Sequence, residues 1–136
     1  RLRKYGKTWT LTHKAKSRED RHKKRIELET PVENGRQMDA ILRTLGFEPT
    51  FRYEKYRAEW SDGEGHVVVD RTPIGMFGEI EGKPRWIDRT ARALGISRGD
   101  YITQTYAPMF FDWKRRTGSK AAEMTFRAVG SKSKHT

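Results

Sequence analysis

Apolar and polar side chains alternate at every second position through most of the N-terminal half of the chain, and apolar side chains recur at helical spacing in three places. In RLRKYGKTWTLTHKAK, Leu2 opposes Arg1 and Arg3, Gly6 supplies a turn, and Trp9 and Leu11 alternate with Thr10, Thr12 and Lys14. This predicts a β-hairpin with basic side chains on one face and apolar ones on the other. RIELE repeats the pattern, with Arg25, Glu27 and Glu29 on one face and Ile26 and Leu28 on the other. FRYEKYRAEW predicts a strand over 51–60, in which Lys55, Arg57 and Glu59 oppose Tyr56, Ala58 and Trp60. An SDGEG turn closes this strand onto HVVVD, where Val67 and Val69 alternate with Val68 and Asp70. A Thr-Pro-Ile-Gly turn then leads into a strand carrying Glu79 and Glu81 on one face and Ile80 on the other.

Three helices are predicted. Met38, Ile41, Leu42 and Leu45 form an apolar stripe over 33–45 ahead of Gly46, and Ile87, Ala91 and Leu94 form one over 84–94 ahead of Gly95. Met109, Phe110 and Trp113 mark a third helix over 108–116. Its aromatic stripe is read as core, and the part around Phe110 and Phe111 suits a homodimer interface equally well. Residues 121–129 are expected to add a strand through Met124, Phe126 and Ala128. The KSREDRHKK run over 16–24 has charge and no apolar period, so it is read as a solvated loop, and the SKSKHT tail as frayed. The fold class that follows is α+β, an antiparallel sheet with helices packed outside on its apolar face.

Composition narrows the partners. At 136 residues the chain suits one domain. Its 29 Lys and Arg against 18 Asp and Glu give a net charge of +11 and point to an anionic partner, be it a polyphosphate, a nucleic acid or an acidic membrane surface. No RNA-recognition strand signature is present and the aromatics fall mainly on apolar faces, which disfavours nucleic acid. No apolar run approaches a membrane span, and the absence of cysteine removes disulfide and thiolate-metal chemistry, so a cytoplasmic protein is expected. His13, His22, His66 and His135 show no ligand spacing.

The charged strand faces carry the candidate chemistry. Collected, they hold Arg1, Arg3, Lys14, Arg25, Glu27, Glu29, Lys55, Arg57, Asp70, Glu79 and Glu81. A Glu-x-Glu pair on a β-face offers oxygen ligands to a hard divalent cation. Two readings of this face are open from pattern alone. It is the hydrated side of a one-sided antiparallel sheet, or, if the sheet closes, the lining of a basic lumen that holds a polyanion and its bridging metal.

The ordered motifs RLR, THK, RIELE, KYR, VVVD and FGEIEG, spanning residues 1 to 82, resemble the CYTH superfamily of triphosphate tunnel metalloenzymes. The stretch WIDRTARALGISRGDYITQTYAPMF is similar to bacterial members described as class IV adenylyl cyclase. The resemblance implies an eight-stranded antiparallel β-barrel over one domain, residues 1–136, and an enzyme that works with Mg2+ or Mn2+. Its substrate would bear a triphosphate: tripolyphosphate, thiamine triphosphate or ATP, hydrolysed or, for ATP, cyclised to cAMP and pyrophosphate. Arg1, Arg3, Lys14, Arg25, Lys55 and Arg57 would hold phosphate oxygens, and Glu79 and Glu81 with Glu27 or Glu29 would hold the metal. Asp70 and Lys55 are the candidate catalytic residues. The family's N-terminal Glu-x-Glu-x-Lys strand has no counterpart, so a further strand is expected upstream of Arg1. The alternative is a non-catalytic module that binds polyphosphate, nucleotide or RNA.

Overall fold

The computed structural model describes residues 1–15 and 27–130; the predicted loop over 16–24, Arg25, Ile26 and the SKSKHT tail lie outside them. The chain forms two compact units, Arg1–Pro49 and Thr50–Thr136.

In the first unit the hairpin forms as its pattern predicts. β1 (Leu2–Tyr5) and β2 (Thr8–Lys14) pair antiparallel with Arg3 opposite Thr10, and Gly6 turns between them at φ 59°. β3 (Glu27–Val32) adds to β2 with Thr12 opposite Glu29 and Lys14 opposite Glu27. Arg1, Arg3, Thr10, Thr12, Lys14, Glu27 and Glu29 therefore share one face. α1 (Gly35–Thr44) starts where the Asn34 side chain accepts the Gln37 amide at 3.0 Å and ends before Gly46 at φ 91°. Met38 and Leu42 are half-buried, while Ile41 and Leu45, counted in the same predicted stripe, are exposed.

The second unit is built on β4 (Tyr56–Ser61), β5 (Gly65–Thr72) and β6 (Gly75–Gly82), antiparallel in that order. Its register sets Arg57, Asp70 and Phe77 in one row and Glu59, Val68 and Glu79 in the next, all on one face. α2 (Pro84–Ala93) packs on the opposite face, where Gly65 and Gly82 lie across from each other and leave room for the buried Trp86. A Cβ at Gly65 would lie 2.5 Å from the Trp86 ring and 2.7 Å from the Glu81 carbonyl oxygen, and neither can yield without disturbing the ladder. Gly65→Ala is therefore expected to cost about 1–3 kcal/mol in thermal unfolding. A melting temperature equal to the wild type's would mean that Trp86 can move aside.

α3 (Tyr106–Thr117) behaves otherwise. Phe110 and Met124 are buried with Ala121, and Phe51, Tyr53, Ile74, Tyr106, Trp113 and Val129 pack around them. Phe110 is thus core, while Phe111 is half-exposed. Tyr106, the first residue of α3, lies against Phe77 with ring centroids 5.8 Å apart, so the start of α3 covers part of the charged face. In consequence Val68 and Asp70 are buried while Val67 and Val69 are only half-buried, the reverse of what alternation with a wet face predicts.

Two further expectations are corrected. The strand expected over 51–60 begins only at Tyr56, because Tyr53 instead bridges Met124 in parallel, with the Met124 amide donating to the Arg52 carbonyl at 3.0 Å. The strand expected over 121–129 is that single bridge followed by a helical turn, α4 (Phe126–Val129), since the Thr125 hydroxyl accepts the Ala128 amide at 3.2 Å and caps it. Among the described residues the strands form two three-stranded antiparallel sheets, β1-β2-β3 and β4-β5-β6. The α+β class and the antiparallel pairing hold.

Candidate functional site

The charged face of the second sheet is organised by one carboxylate. Asp70 is fully buried in the middle of β5 and accepts four hydrogen bonds. Arg57 grips it as a fork, Nε to Oδ1 and Nη2 to Oδ2, both at 2.7 Å. Lys55 Nζ reaches Oδ2 at 2.8 Å and the Tyr106 hydroxyl reaches the same oxygen at 2.6 Å. Three of these bonds fall on Oδ2 and one on Oδ1, so two cations and a phenol crowd one edge of a carboxylate that has no exposed surface.

The sequence positions these groups through register and one long-range contact. Arg57 is the cross-strand partner of Asp70, so the fork spans a single ladder rung. Lys55 precedes β4 and has the same parity as Arg57, which turns it to the same face. Its ammonium also lies over the Tyr106 ring, 5.1 Å from the centroid. Lys55 and Arg57 are each 14 % exposed, so each presents a desolvated edge of its charge to the open part of the face.

These contacts fix the protonation states. Burial pushes the Asp70 carboxyl up, and the bonds from Arg57, Lys55 and Tyr106 outweigh it, holding the group well below the usual carboxylate range. The Arg57 guanidinium is raised, chiefly by its bond to Asp70. Burial and then the bond to Asp70 raise the Tyr106 hydroxyl. At neutral pH the cluster therefore holds an ionised Asp70 carboxylate, a charged Arg57 guanidinium and a protonated Tyr106 phenol.

Glu79 and Glu81 lie further along the same face, both exposed on β6. Arg57 Nη2 also reaches Glu79 Oε1 at 3.1 Å, so the guanidinium links the buried carboxylate to the exposed one. The donor chemistry of this pair fits a hard divalent cation such as Mg2+ or Mn2+, which prefers carboxylate oxygen. Among the described residues no three His, Cys, Asp or Glu side chains converge to hold a metal, so a complete ligand set needs more than this pair.

In the first unit the other sequence candidates share one face. Lys14 Nζ pairs with Glu27 Oε1 at 3.1 Å, both about half-exposed, and Glu29 stands opposite Thr12. Arg3 lies over the Tyr5 ring at 5.0 Å. Thr12 is buried, and among the described residues its hydroxyl has no hydrogen-bond partner. Arg25, assigned to phosphate from the sequence, lies outside the described residues. His13 and His66 are exposed.

Sequence reasoning missed Tyr106. It sits 36 positions from Asp70 at the head of an aromatic stripe that reads as core, and only its hydroxyl hints at a polar partner. It also missed how fully Asp70 is enclosed, because a lone Asp ending a valine run carries no sign of what will cover it.

Among the described residues no helix is long and apolar enough to cross a membrane. The CYTH domain family model matches residues 1–106, which takes in both sheets and the charged cluster as far as Tyr106. No curated protein matches the chain.

Proposed function

The chain belongs to the CYTH domain family, and we propose that it is a divalent-metal-dependent enzyme acting on a triphosphate-bearing substrate. The family's triphosphate substrates and general need for a divalent cation support this reading. The observation that carries it is the pair of cations, Lys55 and Arg57, held on one sheet face by a buried Asp70 beside the exposed Glu79 and Glu81. In this reading the chain is one CYTH-like domain, residues 1–136, and the strands of both sheets belong to one antiparallel tunnel barrel.

Phosphoryl transfer asks a protein for position and charge rather than covalent chemistry. Arg57 and Lys55 would meet phosphate oxygens with the edges not committed to Asp70, guanidinium forks matching them bidentately and lysine acting as a point charge. Arg1, Arg3, Lys14 and Arg25 would supply the remaining positive charge. Asp70 would act as a positioning residue, keeping both cations extended and aligned. Glu79 and Glu81, with Glu27 or Glu29, would hold Mg2+ or Mn2+. When bound, that ion supplies Lewis-acid neutralisation of phosphate charge.

Two outcomes share this machinery. In hydrolysis, water attacks the terminal phosphorus and the bond to the bridging oxygen breaks. In cyclisation, the ribose hydroxyl attacks the α-phosphorus of ATP and pyrophosphate leaves. Hydrolysis is favoured, because it requires no recognition of a ribose hydroxyl. The test is an assay of the full-length protein with tripolyphosphate and with ATP, in Mg2+ or Mn2+ and then in EDTA. Metal-dependent orthophosphate release is expected, and cyclic AMP with pyrophosphate would assign the cyclase. Saturable binding without turnover of either substrate would reduce the protein to a polyphosphate- or nucleotide-binding module.

A further inference from the structure

The two cations of the charged cluster are held in different ways. Arg57 sits on a ladder rung opposite Asp70 and grips both of its oxygens as a fork. Lys55 lies before β4, outside that ladder, and its ammonium ends a flexible stem. Its bond to Asp70 Oδ2 is a single contact to an oxygen that Arg57 Nη2 shares, so that bond alone leaves the ammonium room to swing. Tyr106 removes this freedom. Its ring lies against the Lys55 ammonium, 5.1 Å from the centroid, and its hydroxyl donates to the same Oδ2 at 2.6 Å. One side chain thus touches both the ammonium and the carboxylate that holds it.

Tyr106 is itself fixed. It is the first residue of α3, and its ring packs on Tyr53 and Phe77 with centroids 5.7 Å and 5.8 Å away. Phe110, buried with Met124 and Ala121, anchors the helix behind it. Turning the phenol away would break the bond to Asp70 and both ring contacts together. A tyrosine that only filled the core would need some partner for its hydroxyl, and a backbone carbonyl would serve. Here the hydroxyl goes to the one carboxylate that carries two site cations. The rest of α3 lies beyond the span that the family model matches, so the cluster leans on an element outside that span.

We infer that Tyr106 is a positioning residue for Lys55: it fixes the direction in which the ammonium meets a phosphate oxygen and so couples the placement of α3 to turnover. The inference rests on the triphosphate reading above. A loosened lysine still attracts a polyanion as a point charge, so ground-state binding survives the loss of Tyr106. Alignment with the charge that develops in the transition state does not.

Steady-state turnover of the full-length protein on tripolyphosphate and on ATP, in Mg2+ or Mn2+, tests it in four forms: wild type, Tyr106→Phe, Lys55→Met and the double variant, each beside a melting curve. Tyr106→Phe keeps the ring and its packing and removes only the hydroxyl. It is expected to lower kcat by about tenfold with KM within about twofold of wild type. In the Lys55→Met background the same substitution is expected to change kcat by less than about twofold, because the group it positions is gone. A tyrosine with a merely structural role would lower the melting temperature and scale both backgrounds alike. If the double variant fails to fold, the split between kcat and KM in Tyr106→Phe decides. Wild-type kcat in Tyr106→Phe, a change confined to KM, or the same loss with and without Lys55 would overturn the role of Tyr106 while the triphosphate reading stands. If the wild type turns over neither substrate, the enzymatic reading fails and this inference with it.

Discussion

Glu79→Gln and Glu81→Gln are each expected to lower metal-dependent turnover by at least about 10²-fold, with the fold left intact. The substitution keeps the shape of the side chain and removes the negative charge that a hard cation selects. Both residues are exposed on β6, and the one described ion pair of Glu79, with Arg57, is the kind whose loss costs about 0–1 kcal/mol. Stability and turnover should therefore separate cleanly. The check is a melting curve beside a turnover assay across a Mg2+ or Mn2+ titration, in which partial rescue at high metal concentration would mark a weakened metal site. Wild-type turnover in either variant would remove the metal role from this pair.

Asp70→Asn should do the opposite and act on the fold first. It removes the buried counter-charge of Lys55 and Arg57, leaves Arg57 only the exposed carboxylates of Glu79 and Glu59, and turns an amide donor toward donors. Breaking a buried ion pair by removing one partner costs about 3–5 kcal/mol, which for a chain of this size is a fall of about 10–20 °C in melting temperature. The pH dependence has a definite sign. The folded carboxyl is depressed below its unfolded value of about 4, so its stabilisation is complete above that pH and is lost as the pH falls toward the folded value. The gap between wild type and Asp70→Asn should thus be constant from neutral pH down to about 4 and narrow below it. A variant that melts with the wild type at neutral pH would show that the four bonds to Asp70 do not hold the cluster together.

Local chemistry made much of the fold legible. Gly6, Gly46, Thr72 and Gly95 marked turns and helix ends whose geometry depends on those residues, and two-residue alternation placed β1 to β6. What failed was long-range. Residues 121–129 alternate like a strand, yet Thr125 caps a helical turn there, and Met124 pairs with Tyr53, 71 positions earlier in the chain. Alternation also could not reveal which face of β5 is covered. A helix start on the charged face buries Asp70 and Val68, and that contact depends on Tyr106, whose aromatic ring suggested only core. That Lys55, Arg57, Glu79 and Glu81 share one face was legible, because charge parity along a strand survives in the sequence. The enclosure of Asp70 was not, since it follows from the donors gathered around it.

The most direct test of the account is the affinity of the full-length protein for tripolyphosphate, measured by calorimetry in Mg2+ and again in EDTA over a range of salt concentrations. A metal-bridged triphosphate site predicts saturable binding that weakens by about tenfold or more when the cation is removed and changes modestly with salt. Equal affinity with and without metal, falling steeply as salt rises, would identify a general polyanion surface and contradict the proposed site.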